Sequence, residues 1–359
     1  MGENQAHLPI LDGGRGFAAL LVLVSHSANA GLLPIVLGAG AGQMGVGFFF
    51  VLSGFLMAYN YGGRPFTWAE IIDYAVHRLA RIVPLFLLVI IISMIAHDSN
   101  LWTFPIHSAR EAALHLGFIR GGDILWTIPV EVHFYVLFLV LWRYVAVGRP
   151  VRALIAIAVA NAVLAAALAA GWYVVPSQLL PFWCHFFLFG SAFGILFVRR
   201  PEWIPRLAAG RNWIGWLAIG LFFLSLPGLR RTAAIPLLPN FADPITVGAT
   251  MFLFVAAVFG LGPLKALAAA PMRWLGRISY GIYILHYPVL MNLKELNAPG
   301  VVVFAIVAGT TLALAALSYF CFEAPVRRRL VAWSNSRLAV SRHIPPLSNC
   351  RSPRDAEEI

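Results

Sequence analysis

Residues 9–31 begin Pro9-Ile10-Leu11-Asp12-Gly13-Gly14-Arg15-Gly16 and continue Phe17-Ala18-Ala19-Leu20-Leu21-Val22-Leu23-Val24-Ser25-His26. A bilayer core about 30 Å thick needs roughly 20 apolar residues per helix, and this stretch has that length. It nevertheless carries a carboxylate, a guanidinium and an imidazole. Ionisable groups at membrane depth cost a few kcal/mol or more, so each marks a candidate site. Arg15 and His26 stand eleven positions apart. At 100° per residue they project from one helical face, separated by about 16 Å along the axis. A cation at one mouth and an imidazole near mid-depth describe the two ends of a narrow passage.

The rest of the chain has the same character. Its 359 residues are 60% hydrophobic and only 11% charged, with mean hydropathy +0.81. Soluble domains average about 45–50% apolar and about 25% charged residues, so soluble globular, disordered and collagen-like classes are excluded. Cys184, Cys321 and Cys350 form no CxxC pair, so no disulfide framework, redox site or metal site is expected. Apolar windows fall at about 9–31, 43–61, 82–97, 126–146, 151–171, 181–198, 212–228, 244–262, 275–292 and 300–321.

With a cytoplasmic N-terminus, the inner connections hold every Lys and Arg except Arg110, Arg120, Arg230, Arg231 and Lys294. That bias of about four to one obeys the positive-inside rule. The reading is an all-α, multi-pass protein of the cytoplasmic membrane with about ten transmembrane helices and both termini cytoplasmic. The net charge of +11 then follows from topology and anionic lipid, and no nucleic-acid partner is expected. Ala28-Asn29-Ala30 mimics a signal-cleavage site, but Glu3 and Asp12 against Arg15 make a poor basic leader, so span 1 is expected to stay. Residues 98–125, with Trp102, Phe104, His107 and His115, read as an outer re-entrant or interfacial element. The membrane domain is assigned to 1–329. The Arg-, Ser- and Pro-rich stretch 330–359 is expected to be a disordered cytoplasmic tail.

Further polar groups punctuate the windows. Arg78 and Arg81, with His77, offer a cationic face one turn long at the inner surface, and guanidinium forks suit phosphate oxygens. Glu131 lies about 9 Å below the outer interface, within roughly 5 Å of the level of His26. The two are expected to meet directly or through a bound acceptor. Tyr135 shares its face one turn below. Ser279, Tyr283 and His286 form one polar stripe, and His286 sits at nearly the computed depth of His26. Gly40 to Gly45 matches GxGxxG but follows no strand, and no GxSxG, HExxH or Walker pattern is present in its required context. The remaining set fits a phosphorylated donor held by arginine, with His activating a hydroxyl and Glu positioning a polar acceptor.

Six blocks carry a resemblance. Leu11 to Leu20 with His26 resembles the opening signature of the acyltransferase-3 family of integral membrane acyltransferases. Gly45 to Leu56, which includes Ser53, looks like the family's second-span block, and Arg78, Arg81 and Pro84 resemble the third. Trp126 through Glu131 to Tyr135 resembles the fourth, and Gly276-Arg277-Ile278-Ser279-Tyr280 through His286 to Pro288 the ninth. Ser318-Tyr319 through Glu323-Ala324-Pro325 and Arg327 is similar to the close of the last span. Departures are Gly14, where the family has Leu, and Pro129, Val132 and His133 around Glu131, the turn expected to touch the acceptor.

The resemblance implies an enzyme moving an acyl group, often acetyl, from cytoplasmic acyl-CoA to a hydroxyl of a glycan or glycosylated small molecule. Acyl-CoA would be a co-substrate, with no permanently bound cofactor. His26 would be general base or acyl carrier, with Glu131 the second catalytic residue and Arg15, Arg78 and Arg81 binding the donor. Asp12, Ser53, Trp126, Tyr135, Ser279, Tyr280, Tyr283 and His286 would line the tunnel or the acceptor site. Relatives of the family often carry a further soluble esterase-like domain, which is not expected here. The competing readings are a glycan or small-molecule transporter and an acyltransferase with a lipid or protein acceptor.

Overall fold

The computed structural model describes residues 7–96, 98–170, 178–201, 210–239 and 241–342. All regular structure among them is helical. The α-helices are α1 (Pro9–Asn29), α2 (Ala41–Tyr61), α3 (Trp68–Ala96), α4 (Ala109–Leu116), α5 (Thr127–Ala146), α6 (Pro150–Ala169) and α7 (Leu180–Arg199). They continue with α8 (Asn212–Leu224), α9 (Pro227–Thr232), α10 (Pro244–Val258), α11 (Ala270–Arg277), α12 (Ser279–Leu293), α13 (Gly300–Ser318) and α14 (Ala324–Arg342). A π-turn, Tyr319–Glu323, joins the last two.

Each of the ten apolar windows holds a helix, but fewer qualify as spans by themselves. Six helical segments are long and apolar enough to cross a membrane. A seventh qualifies if Pro244–Val258 and Gly262–Ala268, bent by 70°, count as one. The shortfall has a physical origin. α8 and α12 have 13 and 15 residues, and at 1.5 Å rise these reach only about 20–22 Å. α1 has the length, at 21 residues, but Asp12, Arg15 and His26 dilute its apolarity. Two further expectations need correction. The window at 82–97 is the second half of one 29-residue helix, α3, that starts at Trp68. Residues 330–342, expected to be disordered, belong to α14; the rest of that tail lies outside the described residues.

Helices approach one another here through glycine, as they do where lipid supplies no hydrophobic drive and contact must come from close fit. A Cβ built on Gly54 of α2 would stand 2.1 Å from the Phe187 carbonyl oxygen of α7, and one on Gly190 would stand 1.9 Å from the Val51 oxygen. That approach brings Phe187 between Phe50 and Phe134, at ring-centroid distances of 4.4 and 4.2 Å. α1 is seated in the same way. A Cβ on Gly13 would meet the Leu267 oxygen at 1.8 Å, and one on Gly276 of α11 would meet the Asp12 oxygen at 1.8 Å. Gly42 and Gly45, two of the three glycines of the GxGxxG match, lie in the first turns of α2 facing Ser25 and Ala18 of α1. Their task is helix contact.

Gly276→Ala is therefore expected to destabilise by about 1–3 kcal/mol, since two backbones must separate to admit the methyl. Gly309→Ala on α13, where a Cβ meets nothing within 4 Å, is expected to be neutral or to stabilise by about 0.5–1 kcal/mol. Thermal unfolding of the two variants in detergent checks the pair.

Candidate active site

α1, α2, α3, α5 and α12 line a partly open void, about 610 Å³ with its open mouth included, whose polar wall includes Arg15, Ser53, Arg81, Thr127, Glu131 and Tyr283. All of these side chains but Arg81 are held by hydrogen bonds to described neighbours. Arg15 Nη1 donates to Asp12 Oδ1 at 3.0 Å, one helical turn away, while its buried Nε has no partner among the described residues. Ser53 Oγ and Tyr135 OH both donate to Glu131 Oε1, at 2.9 and 2.7 Å. Convergence on one oxygen leaves Oε2 as the edge of the carboxylate without a donor among the described residues. Tyr283 OH donates to the Ile124 oxygen at 2.9 Å and lies 3.1 Å from Thr127 Oγ1. Tyr280 OH donates to the Ile82 oxygen, and Ser279 Oγ to the Gly276 oxygen, each at 2.9 Å. These tyrosine and serine hydroxyls tie α12 to its surroundings while their side chains form wall.

A second void of about 340 Å³ adjoins the first, sharing Arg81, Ser279 and Tyr280 with it. Arg277, Arg327 and Glu323 complete its charged lining. Glu323 comes from the π-turn and accepts from Ser318 Oγ at 2.8 Å; such an insertion often marks a functional position within a helix. Arg277 and Arg327 were not among the expected donor residues. Their signal was present, since each is the arginine of a motif block, but reading them as inner-surface anchors hid it.

Beyond Tyr283 lies a histidine pair. His26 Nδ1 and His286 Nε2 are 2.8 Å apart, with the rings stacked at 17°. His286 Nδ1 lies 3.1 Å from the Ile282 carbonyl oxygen. A carbonyl only accepts, so in the neutral pair His286 carries its proton on Nδ1 and its Nε2 must accept. His26 therefore carries its proton on Nδ1 and donates it, which leaves His26 Nε2 with a free lone pair. That nitrogen bonds to no described residue. The matching depths computed for His26 and His286 are met by this contact.

Other expected neighbours are not brought together. No hydrogen bond joins Glu131 to His26 among the described residues; the partner of His26 is His286, because α12 rather than α5 packs against that part of α1. Neither imidazole lines the 610 Å³ void; Tyr283, on its wall, stands between it and the pair, with its ring 6.0 Å from that of His286. Arg78, expected beside Arg81 on the donor, is buried with its guanidinium 5.7, 5.9 and 6.0 Å from the rings of Tyr61, Tyr74 and Tyr135. Three residues on a helix leave the two side chains about 60° apart around the axis, and across that offset Arg81 faces the void while Arg78 faces the aromatic box. Trp126 packs against Phe50 and Trp183, off the wall of the void. Asp12 and Tyr135 stand behind Arg15 and Glu131 as their anchors. Among the described residues, no three His, Cys, Asp or Glu side chains cluster as a metal would require.

Comparison with known proteins places this geometry. The chain is 25% identical over 382 residues to YrhL of Bacillus subtilis, covering 90% of this chain and 56% of that protein. It is 23% identical over 376 residues to the peptidoglycan O-acetyltransferase OatA of Listeria monocytogenes, covering 90% and 56%. To the O-acetyltransferase OatA of Staphylococcus aureus it is 22% identical over 364 residues, covering 90% and 58%. The chain thus spans little more than half the length of these relatives. No solved structure matches it. The acyltransferase-domain family matches residues 8–320, which contain every side chain of the site except Glu323 and Arg327. The chain belongs to the acyltransferase-3 family.

Proposed function

We propose that this protein is a multi-pass O-acyltransferase of the cytoplasmic membrane, with ten crossings and both termini inside, that moves an acetyl group from acyl-CoA to a glycan hydroxyl. The observation that carries the reading is the relay from the Ile282 oxygen through His286 to His26, which leaves one basic nitrogen at mid-depth. The short helices α10 and α12 cross as largely buried members of the bundle, where neighbouring helices cover what lipid would not, and α8 crosses at its periphery with Trp213, Trp216 and Phe223 facing outward. The peptidoglycan named in the relatives' descriptions supports a glycan as the acceptor class.

The donor's phosphates belong at the cluster of Arg81, Arg277 and Arg327, and its acyl end extends along the 610 Å³ void toward Tyr283. Arg15 Nε, a buried donor without an acceptor among the described residues, is matched to a polar atom of that ligand. Glu131 Oε2 suits an N–H, such as an amide of the pantetheine arm. Arg78 braces the site through its tyrosines. In the transfer, His26 Nε2 takes the proton of the acceptor hydroxyl as its oxygen attacks the thioester carbonyl carbon. The C–S bond then breaks, and the departing thiolate takes the proton back from His26. His286 holds His26 in the tautomer that this step needs and gains strength as an acceptor when His26 becomes cationic.

Transfer of label from acetyl-CoA to soluble peptidoglycan strands, with the full chain in nanodiscs, tests the reading. His26→Ala is expected to lower kcat by about 10²–10⁴-fold with acetyl-CoA affinity unchanged. His286→Ala is expected to lower kcat within about the same range, and His286→Gln, which keeps an acceptor for Nδ1–H, to retain more activity. Full activity of His26→Ala would sink both the base and any acyl-carrier role.

A second measurement separates the arginines. Arg81→Ala is expected to raise the KM for acetyl-CoA by about 10–100-fold, the worth of a charge-assisted hydrogen bond to phosphate. Arg78→Ala is expected to act first on thermal stability, through loss of a desolvated cation on aromatic rings worth about 2 kcal/mol. Equal effects of the two on donor KM would refute the division.

A further inference from the structure

At the end of the bundle opposite the arginines, a cleft of about 750 Å³ opens between the segment 101–107 and α12. Its lining includes Trp102, Thr103, His107, Asp123, Tyr287 and Met291. Three features set it apart from a chance surface hollow. Its aromatic wall is clamped: Trp102 N donates to Asn292 Oδ1 at 2.8 Å, and Asn292 Nδ2 donates back to the Trp102 oxygen at 3.0 Å. Two backbone groups of a loop are thereby fixed to the helix that carries His286. The Trp102 ring is also braced by edge contacts, 5.4 Å from Phe104 and 5.2 Å from Tyr287. Finally, Tyr287 is shared with the histidine pair, its ring 5.5 Å from His26 and 6.2 Å from His286. The cleft and the basic nitrogen are separated by one side chain.

The chemistry of the lining selects a ligand class. A partly exposed, rigidly held indole offers an apolar face, and Asp123 offers a carboxylate that bonds to no described residue. Asp123 also holds a φ of +45°, a conformation that side-chain-bearing residues keep only where the surrounding structure imposes it. A pyranose ring has the complementary surface. One face is a set of C–H groups that lies on an aromatic ring, and its rim carries hydroxyls that donate to a carboxylate. A lipid chain would leave Asp123 unsatisfied, and a phosphate would be repelled by it.

We infer that this cleft is the acceptor subsite, in which a sugar ring stacks on Trp102, donates hydroxyl hydrogens to Asp123, and presents one further hydroxyl past Tyr287 toward His26. The inference rests on the acyltransferase reading above and adds where and by what groups the acceptor is held. Trp102 and Asp123 are binding residues; Asn292 is a positioning residue that acts through Trp102.

Saturation-transfer NMR of soluble peptidoglycan strands with the full chain in nanodiscs tests it, alongside calorimetric binding of acetyl-CoA to the same samples. Saturation of pyranose ring protons is expected with the unaltered chain and with Trp102→Tyr, which keeps a ring. It is expected to fall by about tenfold in Trp102→Ala and Asp123→Asn, as for the loss of a dominant contact, with acetyl-CoA affinity unchanged. Equal saturation in Trp102→Ala, or no saturation with the unaltered chain, would overturn the subsite. So would a parallel loss of acetyl-CoA affinity, which would make Trp102 a structural residue. Trp102-dependent glycan binding without label transfer would instead remove the acyltransferase reading and leave a glycan site.

Discussion

One hydrogen bond between two imidazoles organises the centre of this molecule. His26 and His286 come from helices at opposite ends of the chain, and their 2.8 Å contact requires α1 and α12 to lie side by side at one depth. Glycine makes that possible. Gly13 and Gly16 of α1, with Gly276 of α11, let backbone meet backbone just below, so α1 is seated before α12 begins. The carbonyl of Ile282 then decides which nitrogen of each ring bears hydrogen. A basic nitrogen is poised by three elements: a glycine contact, a backbone carbonyl and a second histidine.

The arginines show how the same residue type serves distinct ends in a low-dielectric interior. Arg15 is partly neutralised by Asp12 and keeps a buried N–H without a partner among the described residues. Arg78 has rings for neighbours. Arg81 opens onto both adjoining voids and connects them. A guanidinium is tolerated in each place because something answers its charge: a carboxylate, the faces of three tyrosines, or the space in which a ligand's anions are proposed to sit.

The membrane class, the helical windows and the shared depth of His26 and His286 were legible from hydropathy and from spacing along single helices, whereas Ser53 and Tyr280 were singled out only by the family resemblance. Three points were not legible. Glu131 was placed near His26 by depth alone, yet depth says nothing of azimuth, and α5 turns Glu131 toward Ser53 and Tyr135. Arg78 and Arg81 looked like one cationic face, but the neighbours of α3 divide them between an aromatic box and a void. Arg277 and Arg327 read as surface anchors because their convergence depends on the π-turn at Tyr319–Glu323, which no periodicity announces.

What the sequence determined by itself was the solvent and the elements: 60% apolar residues leave lipid as the only medium, and backbone groups in lipid must close on themselves as helices. It also determined which polar residues are costly enough to need a purpose. The tertiary structure alone decided which of them touch, because helix rotation and tilt are set by side-chain fit between segments far apart in the chain. Residues 26 and 286 illustrate the division. Each could be placed at its depth by counting, but only the packing of α1 on α12 turned two isolated imidazoles into a donor and an acceptor.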